Sequence, residues 1–175
     1  DFHVDVVPGR YVDGDYGDVF LHQSSGEKNW LRTNLDVHIS HIKESQVTDA
    51  IRLLKLWRVR NQLSARTFVL ELLVVELLKY KKNAELTDQL NHVWTKLRDE
   101  ILEITVEDPA NPTGNDLSDQ FSDSVKQELS SAAARTLDVL ESDGWEKILG
   151  TVSTASAAAV IVPSFIVRPR GSFGE

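Results

Sequence analysis

Cysteine and methionine are both absent from the 175 residues, and the scarcity extends to proline (5), glycine (9) and aromatics (7%). Without cysteine there is no disulfide, no thiolate nucleophile and no zinc–thiolate centre. The chain must therefore hold together by its core, and at 175 residues it is long enough to do so without staples. No hydrophobic run is long enough for a bilayer; the apolar stretch around Ala155–Val162 falls far short of the roughly 20 residues needed. Nothing at the start has the pattern of a signal peptide, so a cytoplasmic protein is expected. Positive charge is also in short supply. Nineteen Lys plus Arg stand against 27 Asp plus Glu, a net charge of −8. That balance argues against a broad duplex nucleic-acid surface and against activation by nucleic acid, while leaving room for a local phosphate pocket. Translation begins with methionine and this sequence begins with Asp1, so it is expected to be a piece of a longer protein.

What is present has two textures. Phe2, Val4 and Val6 alternate with His3, Asp5 and Val7, the period of a strand, and Pro8-Gly9 is expected to stop it. An exposed acidic turn over Asp13–Asp18 then leads to a short strand near Val19–His22, and Ser24–Asn29 reads as a polar loop. Thr33, with Asp36 three residues on, is the expected cap of a short helix. From Val47 the period becomes helical, predicting helices over 46–63, 67–80, 85–102 and 117–142, with a break at Asn61–Ala65. The second of these is apolar nearly all round, the pattern of a helix at a bundle centre. Ile104–Val106 reads as an isolated strand, and Asp108–Asn115, with two prolines and a glycine, as a rigid loop. A short amphipathic piece ends at Gly150, and residues 151–175 read as an extended tail.

Several residues are candidates for chemistry. Asp5 sits at a strand end, where metal-binding carboxylates are displayed, though an exposed strand carboxylate is the plainer reading. His3 shares its face, but two ligands do not make a metal site. Asp13, Asp15 and Asp18 lack the spacing of a calcium loop and read as solvated charge. His38 and His41 share a helix face with no third ligand nearby, and read as surface histidines. Lys55, in Ile-Arg-Leu-Leu-Lys-Leu-Trp57, either snorkels its ammonium to water or aims it at phosphates. Glu71 lies in the most apolar helix and needs a partner, for which Arg52 or Arg58 is expected.

Four segments taken together carry a resemblance: Val-Asp-Val-Val-Pro8, Ile-Arg-Leu-Leu-Lys-Leu-Trp57, Thr-Phe-Val-Leu-Glu-Leu-Leu73 and Asp-Pro-Ala-Asn-Pro-Thr-Gly-Asn115. Their order and spacing resemble those of 2′-5′-oligoadenylate synthetases and of the bacterial cyclic-oligonucleotide synthases related to cyclic GMP-AMP synthase. The likeness covers about residues 2–150. It implies an α+β fold: the remnant of a polymerase-β-like nucleotidyltransferase sheet, followed by a predominantly α-helical bundle. On that reading residues 1–45 are the last part of the catalytic core, 46–150 the helical bundle, and 151–175 the tail. In the family, three carboxylates hold two Mg²⁺ ions about 4 Å apart that activate the attacking hydroxyl and neutralise the leaving pyrophosphate. Asp5 matches the third carboxylate, as both catalytic and metal-binding residue. The Gly-Ser turn and Asp-x-Asp strand that supply the other two are missing here, so most of the active site is expected to lie in a missing N-terminal part of the same protein. The resemblance makes Lys55 a triphosphate contact, and Thr67 and Phe68 the helix start that meets a nucleotide; Phe68 is then a base-stacking ring rather than a plain core phenylalanine. The loop beginning at Asp108 takes an architectural role.

The implied function is synthesis of cyclic or linear oligonucleotide second messengers from ATP or other NTPs, closest in style to the bacterial enzymes of antiphage defence. The sequence alone leaves two competitors: a non-catalytic helical module binding a nucleotide or a partner, and another nucleotidyltransferase such as an RNA-tailing enzyme. If Asp5 is the third metal ligand, Asp5→Asn in the complete enzyme keeps the fold and lowers the synthesis rate about a thousandfold or more. A rate above about a tenth of wild type rules out the metal assignment.

Overall fold

A computed structural model of the chain describes residues 8–12, 15–22, 29–111, 117 and 120–151, with residues 15 and 16 described in backbone alone. It is α+β: a three-stranded antiparallel sheet followed by a helical region. The first predicted strand, with His3 and Asp5, lies outside the described residues, as do most of the expected tail and residues 112–116 of the loop.

The sheet runs β1 (Gly9–Val12), β2 (Asp15–His22) and β3 (Trp30–Thr33), in that order. Pro8-Gly9 opens β1; the strand it is expected to end lies outside the described residues. Pro8 lends its carbonyl to His22 N–H at 3.0 Å, a role that needs no proline donor. Gly9 leaves room for its neighbours, since a Cβ there would stand 2.9 Å from a Leu21 methyl and 3.2 Å from the Phe20 carbonyl oxygen. Register pairs Leu21 with both Gly9 and Leu31, and Phe20 with both Arg10 and Arg32. Alternation therefore puts Val19, Leu21, Leu31 and Thr33 on one face and Arg10, Phe20, Trp30 and Arg32 on the other. On that second face the Arg10 guanidinium stands 5.5 Å from the Phe20 ring centroid and 6.0 Å from that of Trp30, within the range of cation–π attraction.

Helix α1 (Leu35–Glu44) is capped by Asn34 rather than Thr33. The Asn34 side-chain oxygen accepts from the N–H groups of Asp36, at 3.1 Å, and Val37, at 3.2 Å, and so satisfies two donors that the first helical turn leaves open. Thr33 is committed to β3 and faces inward, so it cannot cap. Asp18 does more than carry solvated charge. It accepts from Asn34 Nδ2 at 3.0 Å and from Arg32 at 2.9 and 2.6 Å, tying β2 to β3 and to the start of α1. These hydrogen bonds, that from Asn34 foremost, hold its carboxyl below the ordinary range.

After Gln46, which turns the chain at φ 64°, come α2 (Thr48–Arg60), α3 (Thr67–Leu78), α4 (Leu86–Asp99), a 3₁₀ turn (Ile101–Glu103), α5 (Asp123–Asp143) and α6 (Trp145–Leu149). The last long helix thus begins at Asp123, later than expected, while Leu117 and Phe121 are buried ahead of it. Ile104–Val106 is irregular rather than a strand; Ile104 and Val106 pack on the helical core. As its all-round apolarity requires, α3 buries Val69, Leu70, Leu72, Leu73, Val74 and Leu78. Ala132 and Ala133 of α5, both fully buried, leave room for large neighbours. The same core holds a row of indoles: Trp57 and Trp94 at 6.1 Å between centroids, and Trp94 and Trp145 at 5.7 Å. No described helix is long and apolar enough to cross a membrane.

Trp57 is fully buried and donates from Nε1 to Thr136 Oγ1 at 2.7 Å, and that hydroxyl donates in turn to the Ala132 carbonyl at 2.8 Å. Trp57→Phe removes the donor and opens a void. It is expected to lower stability by about 2–3 kcal/mol, seen as an earlier urea midpoint at unchanged slope.

Candidate functional site

Three of the four predicted site residues are described, and they share one region. Lys55 projects from α2 and places Nζ 2.6 Å from Glu71 Oε1 on α3. The expected partners of Glu71, Arg52 and Arg58, are engaged elsewhere: Arg52 with Asp49 at 3.0 Å, Arg58 with the Ala65 carbonyl. Glu71 is four residues beyond Thr67 and three beyond Phe68, the spacings that place side chains on one flank of a helix. Lys55, Thr67 and Phe68 are therefore gathered along the first turns of α3. The fourth, Asp5, lies outside the described residues together with His3.

Thr67 is exposed and opens α3. No side chain caps this helix. Its first-turn N–H groups lack the hydroxyl or carboxylate acceptor that usually occupies them. Arg66, the residue before it, is exposed, and no side-chain hydrogen bond or ion pair of Arg66 occurs among the described residues. An uncapped helix start beside an exposed guanidinium is chemistry that receives an anion.

Phe68 is half-buried, and one face of its ring is already covered. His38 of α1 stacks on it with centroids 4.7 Å apart and planes 10° from parallel. The same imidazole brings Nε2 to 2.9 Å from Asp108 Oδ1 and 3.0 Å from Thr33 Oγ1. His38 is thus not the surface histidine expected from its helix spacing. Its side chain is 17% exposed, and that of Asp108 only 2%. Asp108 Oδ1 also accepts the Ala110 N–H at 2.8 Å, closing a tight turn. The following Asn111 donates to the Arg32 carbonyl of β3 at 3.4 Å. The loop read as architectural therefore joins sheet, α1 and bundle at one place. The sequence held one signal for it: an Asp-Pro step followed by Asn-Pro, whose Asp is preset to bond its own turn. Nothing in α1 marked His38 rather than His41 as its partner.

The depression beside α1, about 510 Å³, is lined by Asn34, Asp36, Val37, His41, Glu44 and Pro109. Its carboxylates make it unsuited to a phosphate. Among the described residues, no group of three or more His, Asp or Glu side chains is placed to hold a metal ion.

The Lys55–Glu71 pair has a measurable consequence. The Lys55 side chain is 43% exposed and the Glu71 side chain 20% exposed. Solvent screening therefore limits the pair to about 0.5–1 kcal/mol. Lys55→Met is expected to destabilise by that amount, and Lys55→Met with Glu71→Gln to recover most of it. A double-mutant cycle in urea with no coupling between the two sites would show the contact to be energetically idle.

No family model, no curated protein and no solved structure matches the chain.

Proposed function

We propose that the chain is part of a nucleotidyltransferase that joins ATP or other NTPs into oligonucleotide second messengers, and that its share of the site is the first turns of α3 with Lys55. On this reading the sheet is a remnant of a polymerase-β-like core and the helices its companion bundle. The observation that carries the proposal is the grouping of Lys55, Thr67 and Phe68 at an uncapped helix start. Each supplies a distinct need of a nucleotide. The N–H groups of α3 and the Thr67 hydroxyl suit phosphate oxygens. The Phe68 ring offers a base a sequence-tolerant stacking surface. An ammonium has three donors, so Lys55 keeps Glu71 with one and has others for a phosphate. The Mg²⁺ pair that the complete enzyme needs would draw on Asp5 and on two further carboxylates, and supplies activation of the attacking hydroxyl.

A second reading rests on the same pair: if Glu71 saturates Lys55, the lysine is structural and the chain is a binding module for a partner. Calorimetry with Mg–ATP and Mg–GTP separates the two. On the nucleotide reading, Lys55→Met and Thr67→Ala each weaken affinity about tenfold, the loss of a charge-assisted or phosphate hydrogen bond. The 175-residue chain itself releases no pyrophosphate. Equal affinities in all three proteins return Lys55 to structure, and pyrophosphate release by the chain alone overturns the assignment of the missing carboxylates.

A further inference from the structure

We propose that His38 is a positioning residue: locked by Asp108, it fixes the ring of Phe68 in the orientation that receives a nucleotide base. The inference rests on the nucleotide reading above and adds a residue which that reading did not contain.

The starting point is an inconsistency in α1. This helix has no fully buried residue, and Leu35 and Ile39 are about half exposed. Of its ten side chains, Ile42 packs on the core as an apolar residue does, and His38, a polar one, also turns inward. His38 is held at a single ring nitrogen by two groups that cannot move far. Thr33 is buried at the end of β3, and Asp108 is pinned by its own turn through the Ala110 N–H. The imidazole is thereby held along one edge, between the end of β3 and the Asp108 turn. Phe68 lies on its plane, 10° from parallel.

The ring so held stands at the start of α3, a helix packed on the bundle core. A half-exposed phenylalanine in a first helical turn has rotamers to choose from, and binding that freezes one of them gives up entropy. His38 settles the choice in the free protein. One ring face is taken by the imidazole, and the remaining surface is what a base can meet. The ligand class is thus a planar aromatic base in general. Stacking does not discriminate between bases, so the contribution of His38 applies to all four NTPs alike.

The test uses the 175-residue chain with fluorophenylalanine in place of phenylalanine, the Phe68 signal being assigned by Phe68→Leu. Two variants separate the ring from the anchor. His38→Gln keeps a donor for Asp108 and removes the aromatic face; His38→Ala removes both. Both are expected to shift the Phe68 fluorine resonance, while the thermal unfolding of His38→Gln stays close to wild type. Both also weaken Mg–ATP, Mg–GTP, Mg–CTP and Mg–UTP about threefold to tenfold, the range for immobilising one side chain. An unshifted Phe68 resonance in His38→Gln overturns the clamp. A shifted resonance with wild-type affinity for every NTP overturns its role in binding. If the wild-type chain binds no NTP, the nucleotide reading falls by itself, and the fluorine shift alone decides whether His38 fixes the ring.

Discussion

A carboxylate with 2% of its side chain exposed governs how the two parts of this protein meet. Asp108 is buried against His38, and the imidazole stands between β3 and α3. Taking a carboxylate out of water is unfavourable unless hydrogen bonds replace the lost solvent. Here the replacements include the Ala110 N–H and His38 Nε2, one local and one distant. The distant partner gives the arrangement its specificity. Moving α1 away from the bundle takes the His38 contact from the carboxylate and uncovers Phe68 together. A hydrogen bond of this kind adds only a modest net stabilisation, but leaving a buried carboxylate short of one is costly. It sets geometry more than it adds stability.

Stability comes from elsewhere. The fully buried side chains are concentrated in α2 to α5, where Trp57, Trp94, Leu54, Leu73, Leu97 and Leu129 interlock. The sheet buries only Thr33 among its residues with described side chains. A rigid bundle therefore carries a lightly packed sheet, and the join between them passes through His38, Asp108 and the Asn111–Arg32 contact. Helix α3 is buried along its core-facing side, while in its first turn Thr67 is exposed and Phe68 half-buried.

How far this was legible in the sequence follows from the range of each interaction. Helical period marked α2, α3 and α4 to within a few residues, because burying Leu54, Leu73 or Leu97 is a property of the helix that carries it. Boundaries failed where tertiary contacts decided. Thr33 had the chemistry of a cap but was taken by β3, so the cap fell to Asn34. Ile104–Val106 had the alternation of a strand, but its apolar residues pack on helices. Of the site, Lys55, Thr67 and Phe68 were singled out through resemblance, and their grouping at one helix start follows from the fold. Glu71 was seen to need a partner, but its choice of Lys55 over Arg52 or Arg58 depends on how α2 rotates against α3. His38 was passed over, since its partner lies far along the chain and no local pattern distinguishes it from His41.

The electrostatics of the α3 start single out which charge matters there. Lys55 looks like the principal cation, yet Glu71 at 2.6 Å cancels it at any distance much beyond the pair. What remains is the helix itself, about half a positive charge at its N-terminus, and the exposed guanidinium of Arg66, set against the Glu128 carboxylate, which accepts the Ser64 N–H at 3.1 Å just ahead of the helix. On the proposed reading, a triphosphate is drawn to Arg66 and the α3 N–H groups, and Lys55 acts at contact range only, as a donor fixed by Glu71 rather than as a free charge. On that reading a chain of net charge −8 hosts a phosphate without a basic surface. The field is built from one uncapped helix start and one exposed arginine, and Glu71, by holding Lys55 along the flank of α3, exchanges charge for placement.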